Sequence, residues 1–203
     1  ELASGSHFAL ATIIRRNGSA PRTTGAKMLV RADESIEGTV GGGALEAEVI
    51  RRSLEMLKSG RAGVQSFSFS GADAASMDAI CGGQVDVLIE GVAGGAAGAA
   101  EATRALRAAA ESHHSAWLVT TFDPASQRTS HAAVLHDGQV LGAAQPDLDT
   151  ALVRQTRLPK LLLTVRGVLT LIEPTNISGS VYIFGAGHVS RSLAQFTRAV
   201  DFW

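Results

Sequence analysis

The sequence predicts an α/β protein, a mixed-sheet N-terminal domain followed by the start of a second unit. Three observations predict it. Short runs rich in β-branched and aromatic residues recur along the chain, bounded by turn formers. Helical stretches interrupt them at residues 44–59 and 99–112. After residue 180 the style changes: a continuous apolar run (VYIF, 181–184), as in a parallel strand buried on both faces, enters Gly185-Ala186-Gly187-His188-Val189-Ser190 and then an amphipathic stretch. That is the G-x-G-x-x-(small) turn of a Rossmann-like fold, between its strand and its helix.

Residues 8–15 (FALATIIR) form the first expected strand and run into a loop of turn formers, 17–25. Residues 26–31 (AKMLVR) and 36–40 follow as strands around a turn at Asp33-Glu34-Ser35. Gly41, Gly42 and Gly43 open a helix at once, which buries Leu45, Val49, Leu54 and Leu57 near the 3.6 period and stops at Gly60. Residues 64–70 (VQSFSFS) alternate with period two, a half-buried strand. A loop of small residues, 71–77, leads through Ile80-Cys81-Gly82-Gly83-Gln84 to the strand 85–90 (VDVLIE). The alanine-rich helix 99–112 and a strand at 116–122 come next. Asp137-Gly138, between 132–136 and 139–142, is a hairpin signal. Residues 148–158 read as a short helix ended by Pro159, and 161–165 and 168–173 as two strands turned at Arg166-Gly167. The division is therefore 1–173 for the first domain, 174–179 (PTNISG) for a linker, and 180–203 for the first strand and helix of a truncated second domain.

Bulk properties narrow the function. Hydrophobic residues make up 45% and charged residues 18%, a globular composition. A net charge of −1 gives no basic field, so nucleic acid is not an expected partner. Cys81 is the one cysteine, so no intrachain disulfide can form, which fits a reducing cytoplasm. The most apolar run, 158–172, is broken by Lys160 and Arg166, and neither a membrane span nor a signal peptide is expected. The chain opens at Glu1 and stops within its second unit, so it reads as part of something longer. The apolar surface of an incomplete unit makes a homodimer the expected state.

The stretch 38–48 (GTVGGGALEAE) carries the chemistry. Strand, glycine turn and helix start present unpartnered N–H groups at the positive end of a helix, and glycine lets a bulky anion come close. One reading is a cradle for a phosphate or polar heterocycle; the other is a tight turn that needs positive φ. Arg22 can fork charge-assisted bonds to a phosphate or oxo group, or be a solvated loop cation. Glu46 can accept from an N–H edge, or be a first-turn carboxylate worth about 0.3–1 kcal/mol to the helix. Ser19 either donates to a ligand or caps its turn. Cys81, beside Gly82 and Gly83, could touch a metal or relay sulfur; a lone cysteine is also among the most often buried and inert of residues. His188 is a ligand contact or a surface histidine, and the six histidines show no zinc-type spacing with cysteine.

Three motifs line up: Gly18-Ser19-Ala20-Pro21-Arg22 with Gly25-Ala26-Lys27-Met28; Gly38-Thr39-Val40-Gly41-Gly42-Gly43-Ala44-Leu45-Glu46; and Cys81-Gly82-Gly83-Gln84-Val85. Together they resemble the XdhC/CoxI family, accessory proteins of xanthine dehydrogenase and related molybdenum hydroxylases. The Phe184-Gly185-Ala186-Gly187-His188-Val189 turn resembles the start of that family's C-terminal Rossmann domain. The resemblance implies a cytoplasmic chaperone without turnover of its own. It would bind molybdenum cofactor (molybdopterin), protect it while its sulfido ligand is installed, and deliver it to xanthine dehydrogenase or a related hydroxylase, with a cysteine desulfurase as a further partner. The implied cofactor contacts are Ser19, Arg22, Gly41, Gly42, Gly43, Glu46, Cys81, Gly82 and Gly83, with Gly185, Gly187 and His188 in the second unit and Cys81 on the metal. The rival reading, from Gly185-Ala186-Gly187, is an NAD(P)-dependent oxidoreductase or a binder of another nucleotide.

Overall fold

The computed structural model describes residues 7–68, 83–92, 97–163, 167–175 and 181–199. The first half contains β1 (Phe8–Asn17), β2 (Lys27–Arg31), β3 (Ile36–Gly38), α1 (Gly43–Ser59), β4 (Ala62–Ser68) and β5 (Gln84–Val92). Helix α2 (Ala97–Glu111) leads to β6 (Ala116–Asp123), β7 (Arg128–Leu135), β8 (Val140–Gly142), α3 (Thr150–Gln155), β9 (Lys160–Leu163) and β10 (Leu169–Thr175), and α4 (His188–Ala199) closes the series.

The strands form two five-stranded sheets, ordered β3-β2-β1-β5-β4 and β8-β7-β6-β10-β9. Numbered within its own half, each sheet reads 3-2-1-5-4, with a helix between its third and fourth strands. The fold is thus one βββαββ unit built twice. The α/β class holds, and the pairings described within both sheets are antiparallel where a mixed sheet was expected.

Each sheet covers its outer face with its own helix. Ala9, Ala11 and Ile13 of β1, with Met28, Val30, Val87 and Ile89, pack against Leu45 and Val49 of α1. The period-two strand and the 3.6-period helix each turn one apolar side to the other. Gly60 ends α1 in the left-handed conformation (φ 63), its N–H donating to Met56 O at 2.8 Å. On the second sheet Trp117, Val119, Val134 and Ile172 pack against Val153 of α3, and the Trp117 indole N–H donates to Thr156 O at 2.8 Å. Helix α3 is shorter than the expected 148–158. Asp149 caps it by accepting from the Ala151 and Leu152 N–H groups, and Thr156 is already extended, three residues before Pro159. The inner faces of the sheets meet through Ile14, Leu88, Phe122 and Leu171.

Two expectations near the C-terminus change. Pro174 and Thr175 do not begin a linker; they are the last residues of β10, opposite Trp117 and Ala116, and the remainder of that linker, 176–179, lies outside the described residues. Strand β9 pairs only with residues 169–172, so on that side β10 asks for no N–H at Pro174. Residues 181–186 take no regular structure, and Tyr182 and Phe184 are 81% and 95% exposed. A strand buried on both faces needs neighbours on both edges and both sides, and the described residues supply none. Helix α4 does form, with Val189, Leu193 and Phe196 exposed along one stripe. No helix among the described residues is long and apolar enough to cross a membrane.

Candidate functional site

The glycine turns of the first half converge. A bulge between Ile13 and Arg15 shifts the register of β1, so that the strand ends with Asn17 opposite Gln84 of β5. That brings the loop after β1 onto the residue before β5: a Cβ on Gly83 would overlap the Ser19 carbonyl oxygen and lie 2.7 Å from that of Asn17. The same loop reaches the triple glycine, where a Cβ on Gly41 would stand 2.7 Å from Pro21 Cγ. These positions are glycine because backbone and a proline ring occupy the space a side chain would take. Gly42 differs, since nothing lies within 4 Å of where its Cβ would be.

Helix α1 opens on this edge with Gly42 as its N-cap residue, and the first backbone bond of the helix runs from Glu46 N–H to Gly42 O at 3.3 Å. Glu46 folds back over the turn. Its Oε2 accepts from Thr39 Oγ1 at 2.5 Å and from the Gly42 N–H at 3.3 Å, while Thr39 Oγ1 accepts from the Gly41 N–H at 3.1 Å. This arrangement satisfies orphan N-terminal donors with the chain's own oxygens, in the manner of a capping box. The turn is therefore less bare than its sequence suggests: the Gly41 and Gly42 amides are engaged, and the Gly43 and Ala44 amides lie ahead of the first helical bond. Glu46 Oε1 carries no hydrogen bond among the described residues. Arg22 and Ser19 are exposed, and neither side chain has a hydrogen bond or ion pair among the described residues. Cys81 and Gly82 lie outside the described residues. Gly185, Gly187 and His188 sit in the exposed C-terminal segment, at the start of α4. The strand that a dinucleotide fold puts before that turn is not formed, so NAD(P) gains no support. Among the described residues no group of three His, Cys, Asp or Glu could hold a metal.

A second constellation escaped the sequence reading. Between the sheets, Lys27 Nζ donates to Glu173 Oε1 and Oε2, both at 2.8 Å, and to Thr12 Oγ1 at 3.2 Å. Alongside, Glu90 Oε2 accepts from Thr129 Oγ1 at 2.5 Å and pairs with His131 Nε2 at 2.9 Å, and His131 Nδ1 lies 3.3 Å from Thr120 Oγ1. The two sets are counterparts in the repeated fold. Lys27 and His131 stand on the second strand of each half, opposite Thr12 and Thr120 of the first strand. Glu90 and Glu173 stand on the fifth, opposite Leu10 and Leu118. Each half thus offers a cation to the other half's glutamate. Burial pushes the Glu90 carboxyl up, but His131, Thr129 and Lys27 outweigh it and hold the group below the usual range. Burial pulls His131 down, but Glu90 outweighs it and raises the imidazole. For Glu173 burial wins over Lys27, and its carboxyl is raised. A signal was present: a glutamate closes each of two apolar runs, VDVLIE at 85–90 and VLTLIE at 168–173.

Comparison with known proteins agrees with the first motifs. Residues 1–68 match the model of the XdhC and CoxI family, so the resemblance read from the motifs is shown for that segment. The chain is 45% identical over 84 residues to an uncharacterised Escherichia coli protein, YqeB, covering 40% of this chain and 15% of that one. It is 43% identical over 60 residues to the Escherichia coli molybdenum cofactor insertion chaperone PaoD, covering 30% of this chain and 19% of that one. The chain thus spans less than a fifth of the length of either relative. A Bacillus halodurans protein solved as a xanthine dehydrogenase has the same fold over all of this chain and 58% of its own, with a TM-score of 0.70 at 22% identity.

Proposed function

We propose that the edge formed by the three glycine turns binds molybdenum cofactor. On this reading the chain is the cofactor-binding part of a cytoplasmic chaperone that shelters the cofactor during sulfuration and hands it to xanthine dehydrogenase or a related molybdenum hydroxylase. The observation that carries the reading is the contact of Pro21 with Gly41 and of Gly83 with the Asn17 and Ser19 carbonyls, one residue along the chain from Arg22, which is unpaired among the described residues. Similarity to a chaperone of molybdenum cofactor insertion supports it.

The cofactor presents a phosphate, a pterin edge rich in N–H donors, and a dithiolene-held oxo-metal that performs the chemistry of the enzyme it is delivered to. The residues present fit the first two. The Glu46 carboxylate already faces the Gly42 amide and repels a second anion from that helix start. The phosphate therefore belongs on the exposed Arg22 guanidinium, which makes a forked, charge-assisted bond. Glu46 Oε1, without a hydrogen bond among the described residues, accepts from the pterin edge, and the open space over Gly42 admits a flat ring. Ser19 adds a hydroxyl at the rim. Cys81, two residues before Gly83 in the chain, is the thiol proposed for the metal. A homodimer and a docking cysteine desulfurase complete the proposal.

The test is purification from cells supplied with molybdate, followed by metal and pterin analysis. Stoichiometric cofactor in the parent protein, reduced at least about tenfold by Arg22→Ala and also lowered by Cys81→Ser, is the expected result. A protein that stays empty under every loading condition, or an Arg22→Ala variant that retains full cofactor, would overturn the reading.

A further inference from the structure

We propose that the crevice at the far end of α1 is a second binding site, one for a small oxyanion such as phosphate, distinct from the three glycine turns. Helix α1 has 17 residues, so its ends lie about 25 Å apart. Gly42 opens it at the glycine turns, and Gly60 closes it at a cavity of about 210 Å³ between β4, β5, β7 and α2. The wall of that cavity includes Arg61, Gln127, Arg128, Thr129, Ser130 and His131, and no carboxylate lines it.

The two guanidiniums of the lining set the sign of the ligand against the smaller negative charge that the C-terminal end of α1 places at Gly60. Arg128 has no hydrogen bond or ion pair among the described residues, and Arg61 spends one donor, Nη1 to Gln127 Oε1 at 3.2 Å. Two guanidiniums, with the Ser130 hydroxyl and the Gln127 amide in the same lining, suit an acceptor-rich anion. The acid behind the wall, Glu90, is turned to Thr129 Oγ1 and His131 Nε2 and adds no acceptor to the cavity. The volume falls below the roughly 300–1,000 Å³ of pockets that take drug-sized ligands, so the site suits a single phosphate-sized group.

The repeat supplies an independent argument. By strand register, Thr129 and Ala62 of this corner correspond to Gly25 and Pro159 of the other half. There the space is filled, with Pro159 Cγ 2.9 Å from where a Gly25 Cβ would stand. Here Ala62 is too small to fill it, and two arginines stand beside the gap instead.

The experiment is calorimetric titration of the full chain with inorganic phosphate, and separately with a small phosphomonoester, at constant ionic strength. Saturable binding of one equivalent of either is expected, weakened at least about tenfold in the Arg61→Gln/Arg128→Gln variant. Binding of inorganic phosphate marks a free-ion site; binding of the ester alone marks a site for a phosphorylated molecule, and both support the proposal. Absence of saturation, equal affinity in the double variant, or loss of phosphate binding in Arg22→Ala would overturn it. The last outcome would move the phosphate to the glycine turns. Cofactor retention by the double variant tests the other site separately.

Discussion

At the scale of single residues, two neighbouring glycines do different work. Gly41 and Gly42 both have positive φ, 140° and 79°, and replacing either by alanine carries backbone strain of about 1–3 kcal/mol. Only at Gly41 would the new Cβ also push against Pro21 and open the contact between two loops. Gly41→Ala should therefore lower the urea midpoint more than Gly42→Ala and should lower cofactor retention as well; equal effects would show that the Pro21 contact contributes nothing. The run of glycines was legible as a turn before a helix, because its cause is local. Which glycine is held by a distant ring was not, since that depends on where the loop after β1 lands. Glu46 is the same case. Its place in the first turn is visible in the sequence, but its bond to Thr39 needs the path of the turn between them.

At the scale of elements, the two amphipathic helices that begin after glycine turns separate cleanly. Both α1 and α4 show helical apolar spacing, and both form where that spacing predicts. Leu45 of α1 is 2% exposed and packs with the outer face of the first sheet, whereas Leu193 of α4 is 46% exposed. Truncating a buried leucine costs about 2–5 kcal/mol, while changes at open positions stay within about 0.5 kcal/mol. In this chain Leu45→Ala should produce the first loss and Leu193→Ala the second, read as urea midpoints at unchanged slope; a large loss at Leu193 would mean that α4 is covered. Periodicity reveals which face of a helix is apolar. It does not reveal what covers the face, which is why residues 181–184 read as a strand yet form none. The pairing of VDVLIE with VLTLIE shows the converse: the repeat was written in the sequence, but it gains meaning only when both runs occupy the fifth place of a five-stranded sheet.

At the scale of the whole molecule, the two halves are held by apolar contact and by a set of charges in which both carboxylates are buried: Lys27 and His131 against Glu90 and Glu173. With His131 protonated the set is formally neutral; without that proton one negative charge is left between the sheets, and an uncompensated buried charge is costly. The pH dependence follows from the shifts. His131 is raised above 6.5, so its contribution to stability is complete below pH 6.5 and is lost as the pH rises through the folded-state pKa. Glu90 is lowered below 4.5, so its contribution is complete above pH 4.5 and is lost as the pH falls through its folded-state pKa. Between pH 4.5 and 6.5 both are present. Glu173, raised by burial, acts the other way and loses stability as the pH climbs from 4.5 through its own folded-state pKa, so the wild-type curve alone does not assign the alkaline loss. The variant does. His131→Gln keeps a donor for Glu90 but cannot titrate, so the fall in urea midpoint from about pH 6 to about pH 9 should be clearly smaller in the variant than in the parent. Identical slopes would mean that the two sheets are joined by their apolar faces alone and that the charges Lys27, Glu90, His131 and Glu173 exchange between the halves set register without reporting pH.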